Sequence, residues 1–249
     1  MFRHIIVVLV GLLLPFAATQ ANAADIKVFS STALKGVLDE LGPQFEKATG
    51  NKLIFTVGPA GAMTAKINQG AAFDVAIVTP PLFDGLAASG KVDPASRATI
   101  ARSALGISVR AGAPKPDVGT ADALKQTLLR AKSIGFNGKG ASRIGIEAIF
   151  AKLGIADDLK SKIKLVQTSA PVALAKGEVE LTVSPISEIL PVPGVQFAGA
   201  VPADYQWYLV LIGAVSAASK NGDAAKAFIK FLRTPSAAAV LKAKGMEPG

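Results

Sequence analysis

The chain has 249 residues and a formal net charge of +9, half of its residues are apolar, and it contains no cysteine and a single histidine, His4. Without cysteine it forms neither disulfides nor thiolate metal sites, and a single imidazole excludes most hydrolase and transition-metal chemistry. A positive surplus can draw anions toward a cleft, but its lysines and arginines are scattered singly and in pairs, which disfavours a nucleic-acid surface.

The first 23 residues have the pattern of a cleaved export signal. Arg3 and His4 precede an apolar run over residues 5–16, and the Ala-Asn-Ala of residues 21–23 is a small-x-small cleavage site. The run of about 12 residues is too short for a spanning helix, which needs about 20. We therefore expect a cut after Ala23, and a mature, soluble, monomeric protein in the periplasm that lacks histidine.

Strands and helices alternate through the first hundred residues of the chain. The sequence predicts strands over residues 26–30, 52–57 and 74–78, and helices over residues 32–49 and 63–69. The longer helix carries apolar residues three and four apart, and Gly50 ends it as a C-terminal cap. A further strand over residues 105–110 carries the chain into a second unit.

The second unit repeats this alternation before the chain returns. Helices are predicted over residues 121–131, 142–153 and 172–176, strands over residues 133–136, 164–167 and 181–183, a returning strand over residues 207–215, and final helices over residues 222–232 and 235–244. This spacing predicts mostly parallel sheets flanked by helices. The polar and aromatic residues 205–208 lie where the chain crosses back, which favours hinge packing over ligand contact.

Four turns rich in small and hydroxyl residues each precede a predicted helix. They cover residues 30–32, 58–61, 137–142 and 168–169. Ligands of open α/β sheets bind beyond the carboxyl ends of strands, and the free N–H groups of a helix start attract anions. A helix cap would explain one such turn, whereas four of them in one chain indicate an anion site.

Segments along nearly the whole mature chain resemble the molybdate-binding type of periplasmic solute-binding protein. They are VFSSTAL at 28–34, FEKATG at 45–50, INQG at 67–70, FDVAI at 73–77, AKLG at 151–154, KGEVEL at 176–181, FIKFL at 228–232 and PSAA at 235–238. The resemblance implies an α/β, two-lobed periplasmic binding protein fold of type II, in which each lobe is a mostly parallel sheet flanked by helices and crossover strands join the lobes. We place lobe 1 in residues 24–106 with 205–249, and lobe 2 in residues 107–204.

The same resemblance implies a ligand site built from the turns of the first lobe, with changed side chains. The serine that holds the oxyanion after the first strand of the family corresponds to Ala33, which Ser31 and Thr32 precede. The serine after the second strand corresponds to Ala60, beside Gly61. The family's architecture for an anion site is therefore kept in this lobe, while its serine donors for molybdate are missing or displaced.

In the second lobe the resemblance implies three further positions. The backbone donor of the third loop corresponds to Ser142, and that of the fourth loop to about Gln167 or Thr168. A tyrosine of the family falls at about Ser184 and Pro185, so its hydroxyl is missing as well. The implied function is capture of a small anion and its delivery to an ABC permease in the inner membrane, without a metal or cofactor.

Arg143 is relevant to the identity of the bound anion. A guanidinium beside Ser142 at a helix start can hold a carboxylate through two parallel hydrogen bonds, which suits an organic acid better than a tetrahedral oxyanion. A solvent-facing arginine on a first helical turn would look the same in the sequence. The ligand is thus expected to be either a molybdate- or tungstate-like oxyanion or a small carboxylate.

An enzyme and a periplasmic sensor or scavenger are the two alternatives to a transport protein. An enzyme would need an activated nucleophile or a metal, and the Ser-x-x-Lys spacing of Ser161 and Lys164 lies in a charged segment that is typical of a surface, so we predict no enzyme. A periplasmic sensor or scavenger with the same fold stays open as an alternative, because contacts with an importer have no recognisable motif.

Overall fold

A computed structural model describes residues 23–167 and 169–249. The predicted leader, apart from Ala23, and Thr168 therefore lie outside the described residues. The first half alternates strands with helices: β1 (Asp25–Ser31), α1 (Lys35–Thr49), β2 (Lys52–Gly58), α2 (Ala60–Asn68), β3 (Val75–Val78) and α3 (Pro80–Ala88). A single 3-10 turn, Thr32–Leu34, joins β1 to α1.

The long strand β4 (Ala98–Arg110) leads into a second α/β series. The series comprises α4 (Ala121–Arg130), β5 (Ile134–Asn137), α5 (Arg143–Lys152), α6 (Ala156–Leu159), β6 (Ile163–Val166), α7 (Ala170–Ala175), β7 (Leu181–Pro185), α8 (Ile186–Ile189) and β8 (Val195–Ala200). The chain then returns through β9 (Tyr208–Val215), α9 (Gly222–Phe231), α10 (Pro235–Ala243) and β10 (Glu247–Pro248).

The strands follow the order β2-β1-β3-β9-β4-β7-β5-β6, with β8 and β10 also paired to β4. β1, β2 and β3 run parallel in the first lobe, and β5, β6 and β7 run parallel in the second. β4 joins the two lobes, because its first half pairs with β9 and its second half with β7 and β8. The predicted α/β fold, with a mostly parallel sheet in each lobe and crossover strands between them, is confirmed.

Three apolar clusters stabilise the two lobes. One cluster packs α1 and the strands of the first lobe against α9 and α10, so the C-terminal tail covers the sheet at which the chain began. A second lies between α2, α3 and the other face of that sheet, and the third fills the second lobe from Leu105 to Val201. The residue boundaries proposed for the lobes stay a prediction.

Gln206 ties the two crossover segments together. Its side-chain amide donates to the carbonyl oxygens of Leu105 (3.0 Å) and Val201 (2.9 Å), and its Oε1 accepts from the N–H groups of Leu105 (2.7 Å) and Trp207 (3.0 Å). Trp207 packs against Gly145, where any side chain would collide with the indole ring. These contacts place the polar and aromatic segment at the junction of the lobes.

Several predicted elements differ from those in the structure. The helix predicted over 63–69 begins earlier, at Ala60. No helix is predicted directly after the third strand, yet α3 starts at Pro80, because proline fits the first turn of a helix. β4 begins at Ala98 rather than at residue 105, since pairing with β9 and β10 extends it toward its start. Within the described residues no helix is long and apolar enough to span a membrane.

Candidate functional site

The carboxyl ends of the parallel strands of both lobes meet at one cleft. Ser31 at the end of β1 is in register with Gly58 at the end of β2, so the turns after these strands lie side by side. In the second lobe Asn137 at the end of β5 is in register with Val166 at the end of β6. The cleft between them is the position at which open α/β sheets bind ligands.

The cleft is a small cavity of about 120 Å³ that both lobes line. Such a volume suits a small anion or the head group of a larger one. The lining residues are Ser31, Thr32, Pro59, Ala60, Asn137, Gly140, Ala141, Ser142, Gln167, Ser169, Glu188 and Leu209.

Hydroxyl groups from both lobes are available to a ligand in this cleft. Among the described residues, the side-chain oxygens of Thr32, Ser142 and Ser169 have no hydrogen-bond partner within the protein, and Ser142 does not cap α5 with its side chain although it is only 8% exposed. The Ser31 hydroxyl accepts from the N–H of Ala33 at 3.4 Å, which leaves its proton free to be donated. A bound anion can therefore accept hydrogen bonds from two sides.

Two helices begin at the cleft and add backbone donors. α2 starts at Ala60, directly after Pro59, and α5 starts at Arg143, directly after Ser142. The first N–H groups of a helix have no partner within it and lie at the positive end of its dipole. The loop before α5 is itself ordered by a hydrogen bond from Arg143 N–H to the Gly140 carbonyl (3.1 Å).

Glu188 is the titratable side chain that lines the cleft. It belongs to α8, the short helix after β7, and in the part of the chain that the structure describes its carboxyl group has no hydrogen-bond or ion-pair partner. Burial raises the pKa of this carboxyl to about 7 from an ordinary value of 4.5. Desolvation penalises the charged form of an acid, so Glu188 is readily protonated near neutral pH.

Arg143 does not line the cleft, although Ser142 beside it does. Its Nε donates to Oε1 of Glu147 at 2.7 Å, one helical turn later, and its Nη1 donates to the Gly138 carbonyl oxygen at 3.2 Å. The side chain is 41% exposed. Arg143 thus orders the loop before α5, and direct binding of a carboxylate by its guanidinium stays a prediction.

The structure brings together four of the residues predicted for the site, and they are Ser31, Thr32, Ala60 and Ser142. Ala33 is buried behind them, and Gly61 lines a neighbouring cavity. Ser184 and Pro185 end β7 as buried residues outside the lining of the cleft, although α8 and Glu188 follow directly. Thr168 lies outside the described residues, while its neighbours Gln167 and Ser169 line the cleft.

Sequence reasoning missed Glu188 and Leu209. Glu188 follows the end of β7, at Pro185, by three residues. Because ligands bind beyond the carboxyl ends of strands, a predicted strand that reached Pro185 would have identified a fifth turn at the site. Leu209 is an ordinary apolar residue of β9, and only the crossing of the strands places it at the cleft.

A larger apolar cavity of about 470 Å³ adjoins the polar cleft and shares Ala141 with it. Ile144, which is 74% exposed, lies on its wall together with Trp207, and the ammonium-bearing Lys139 is also among its lining residues. Together the two cavities offer polar donors on one side and an apolar surface with one cation on the other. Within the described ranges, no group of three or more histidine, cysteine or acidic residues lies close enough together to hold a metal ion.

Comparison with known proteins agrees with this geometry. Residues 26–247 match the family described as bacterial extracellular solute-binding protein. The chain is 30% identical over 258 residues to an aconitate isomerase of a Pseudomonas species, which covers 100% of this chain and 98% of the relative. It is 28% identical over 236 residues to the molybdate-binding protein ModA of Azotobacter vinelandii, which covers 92% of each.

Solved structures show the same fold. The periplasmic molybdate-binding protein of Azotobacter vinelandii superposes with a TM-score of 0.78 at 23% sequence identity, which covers 90% of this chain and 99% of that one. The fold predicted from the sequence is therefore that of the periplasmic molybdate-binding proteins.

Proposed function

Because the chain belongs to the bacterial extracellular solute-binding protein family, we propose that it captures a small anion in the cleft between its lobes and delivers it to an ABC importer. The observation that carries the proposal is the set of hydroxyls that face one cavity from both lobes and have no hydrogen-bond partner among the described residues. An anion held by both lobes favours the arrangement in which the lobes are closed on it. An importer has to distinguish this ligand-bound protein from the ligand-free one. We also propose that the protein acts in the periplasm as a monomer, after cleavage of its leader.

We further propose that the anion is a small organic carboxylate. The two serines that the resemblance assigns to molybdate binding are replaced by Ala33 and Ala60, and alanine offers no side-chain donor. The adjoining apolar cavity provides room for carbon atoms, and Lys139 on its wall provides charge for a second carboxylate. The aconitate isomerase relative, which matches over the full length of the chain, is named for a tricarboxylate.

Thermal unfolding of the mature protein tests this assignment. Citrate, cis- and trans-aconitate, succinate, molybdate, tungstate, sulfate and phosphate are added singly at constant ionic strength. A ligand at 100 times its dissociation constant adds about 2.7 kcal/mol to the free energy of unfolding. For a chain of this size that raises the midpoint by about 5–10 °C, and we expect this shift with a carboxylate.

Sodium chloride at matched ionic strength is the control, because a basic protein gains some stability from any anion. A shift confined to molybdate and tungstate would contradict the carboxylate assignment and keep the binding function. Absence of a shift with every anion would contradict the proposed binding of a small anion.

A second candidate function is isomerisation of an unsaturated carboxylate such as aconitate. It is favoured by Glu188, a carboxyl group in the cleft that has no partner among the described residues, and by the similarity to aconitate isomerase. A base would remove a proton from the methylene carbon next to the double bond, the double bond would shift, and a proton would return to the other end of the allyl system. The step consumes no co-reactant, and a base with a pKa near 7 suits it.

Proton NMR in deuterium oxide distinguishes an isomerase from a binding protein. An isomerase converts trans-aconitate into cis-aconitate and exchanges a carbon-bound proton for deuterium, while a binding protein leaves both unchanged at equimolar concentration. Glu188→Gln is expected to abolish any conversion, and Glu178→Gln, on an exposed residue away from the cleft, is the matched control. Conversion that persists in Glu188→Gln would remove Glu188 from the reaction.

A further inference from the structure

Glu188 creates a charge conflict within the proposed anion site. No lysine or arginine lines the polar cleft as far as the structure describes it, and Glu188 is the one titratable residue among the lining groups. An anion in a cavity of about 120 Å³ comes close to every group on its wall. If Glu188 were ionised, two negative charges would lie together in a cleft that is partly shielded from bulk water, where their repulsion is screened less than on an open surface.

In the part of the chain that the structure describes, the elements packed against α8 supply no compensating cation. β7, β8 and the 3-10 turn Thr32–Leu34 carry no charged residue. β4 carries Arg102, which pairs with Glu247, and Arg110, and neither lies within ion-pair distance of Glu188. Lys244, beyond the end of α10 on the side that packs against α8, pairs with Glu40. The conflict can therefore be resolved by a proton.

We propose that Glu188 and the bound anion share one proton, so that the cleft takes up an anion together with a hydrogen ion. The inference rests on the proposed binding function. For a fully ionised anion, the neutral carboxyl group of Glu188 donates its O–H to an anion oxygen. For an anion that brings its own proton, such as hydrogen phosphate, the Glu188 carboxylate accepts the hydrogen bond instead.

This arrangement makes Glu188 a determinant of ligand selection. A partly buried carboxylate that an adjacent anion would repel discriminates between ligands by whether the ligand can supply a proton. Below about pH 7, where burial keeps Glu188 neutral, fully ionised anions bind without a penalty. Above that pH each unit lowers the fraction of protonated Glu188 about tenfold, and the apparent affinity for such anions falls with it.

Isothermal titration calorimetry tests the proton directly. Molybdate and trans-aconitate, both fully ionised at pH 8, are titrated in Tris and in phosphate-free HEPES buffers, whose different ionisation heats report the number of protons taken up. We expect close to one proton per anion at pH 8, little uptake at pH 6, and a dissociation constant that rises about tenfold between pH 8 and pH 9. Glu188→Gln is expected to bind without proton uptake and with an affinity that does not change with pH, and Glu178→Gln is expected to behave as wild type.

The outcomes separate this inference from the function on which it rests. Binding of either anion without proton uptake by the wild-type protein overturns the shared proton and leaves the proposed binding function intact. If neither anion binds, the titration is repeated with each other anion of the unfolding panel, and binding of none of them overturns both. The unfolding midpoint of Glu188→Gln shows whether the variant folds. Because the pKa of Glu188 is raised in the folded protein, the wild-type protein loses stability as pH rises from about 4.5 through 7. The variant should therefore be more stable than wild type at pH 8 and not at pH 4. If the variant does not fold, the number of protons taken up by the wild-type protein decides whether Glu188 and the anion share a proton.

Discussion

Replacing Phe228 with alanine is expected to destabilise the protein by about 3–5 kcal/mol, which corresponds to a loss of about 6–20 °C in the unfolding midpoint for a chain of this size. Phe228 lies on α9 and is 0% exposed. Its ring meets Phe45 of α1 edge to face at 5.1 Å and lies 6.3 Å from Phe55 of β2. The substitution therefore opens a cavity where the returning C-terminal helix packs on the first lobe, and calorimetric unfolding of the mature protein measures the loss.

Phe228→Leu is the matched control for this prediction. Leucine keeps most of the apolar volume, so the expected loss is below about 1.5 kcal/mol. A drop of less than 3 °C for Phe228→Ala would show that α9 contributes little to the first lobe. Ligand binding below the lowered midpoint should persist, because Phe228 is not among the residues that line the cleft.

Replacing Ser142 with alanine is expected to weaken anion binding by about ten- to a hundredfold. The hydroxyl group lines the cleft and has no partner in the described part of the protein, so the substitution removes a donor without disturbing the protein's own hydrogen bonds. A hydrogen bond to a charged group contributes about 1.5–3 kcal/mol. Calorimetric titration with the best-bound anion of the panel measures the change, and the midpoint of the unliganded protein should shift by less than about 2 °C.

Two further variants make the Ser142 result specific. Ser161→Ala removes a hydroxyl from an exposed residue in the second lobe and should leave affinity unchanged. Arg143→Ala should change affinity only a few-fold, because the guanidinium pairs with Glu147 and with the loop carbonyl of Gly138. A loss in Arg143→Ala as large as in Ser142→Ala would show that the arginine moves into the cleft and binds the ligand directly.

The contrast between Ser142 and Arg143 illustrates the limit of reading a site from sequence. Both residues stand at the start of α5, and both are chemically suited to an anion. The direction of each side chain decides which of them lines the cleft, and that direction depends on the loop before the helix and on Glu147 one turn later. Spacing along the chain does not encode this choice.

The amino-acid sequence by itself determined the fold and the edge of the sheet that carries the site. Alternation of short apolar strands with helices whose apolar residues recur three and four apart is a local pattern, so it can be read without the rest of the molecule. Gly50 ends α1 in the left-handed conformation (φ 74°) and donates to the carbonyl of Glu46, as its position predicts. The hydroxyl-rich turns follow from the same reading, because a strand end and the next helix start are both local signals.

Only the tertiary structure decided which residues of these turns meet, and it placed Glu188 and Leu209 among them. Glu188 follows a strand that looks shorter in the sequence than pairing with β4 makes it, and Leu209 reaches the cleft because β9 crosses between the lobes. β4 itself extends over 13 residues since its neighbours supply the hydrogen bonds. The physical reason is common to all three: burial and strand pairing join residues far apart in the chain, and their free energy outweighs the local propensities that a sequence displays.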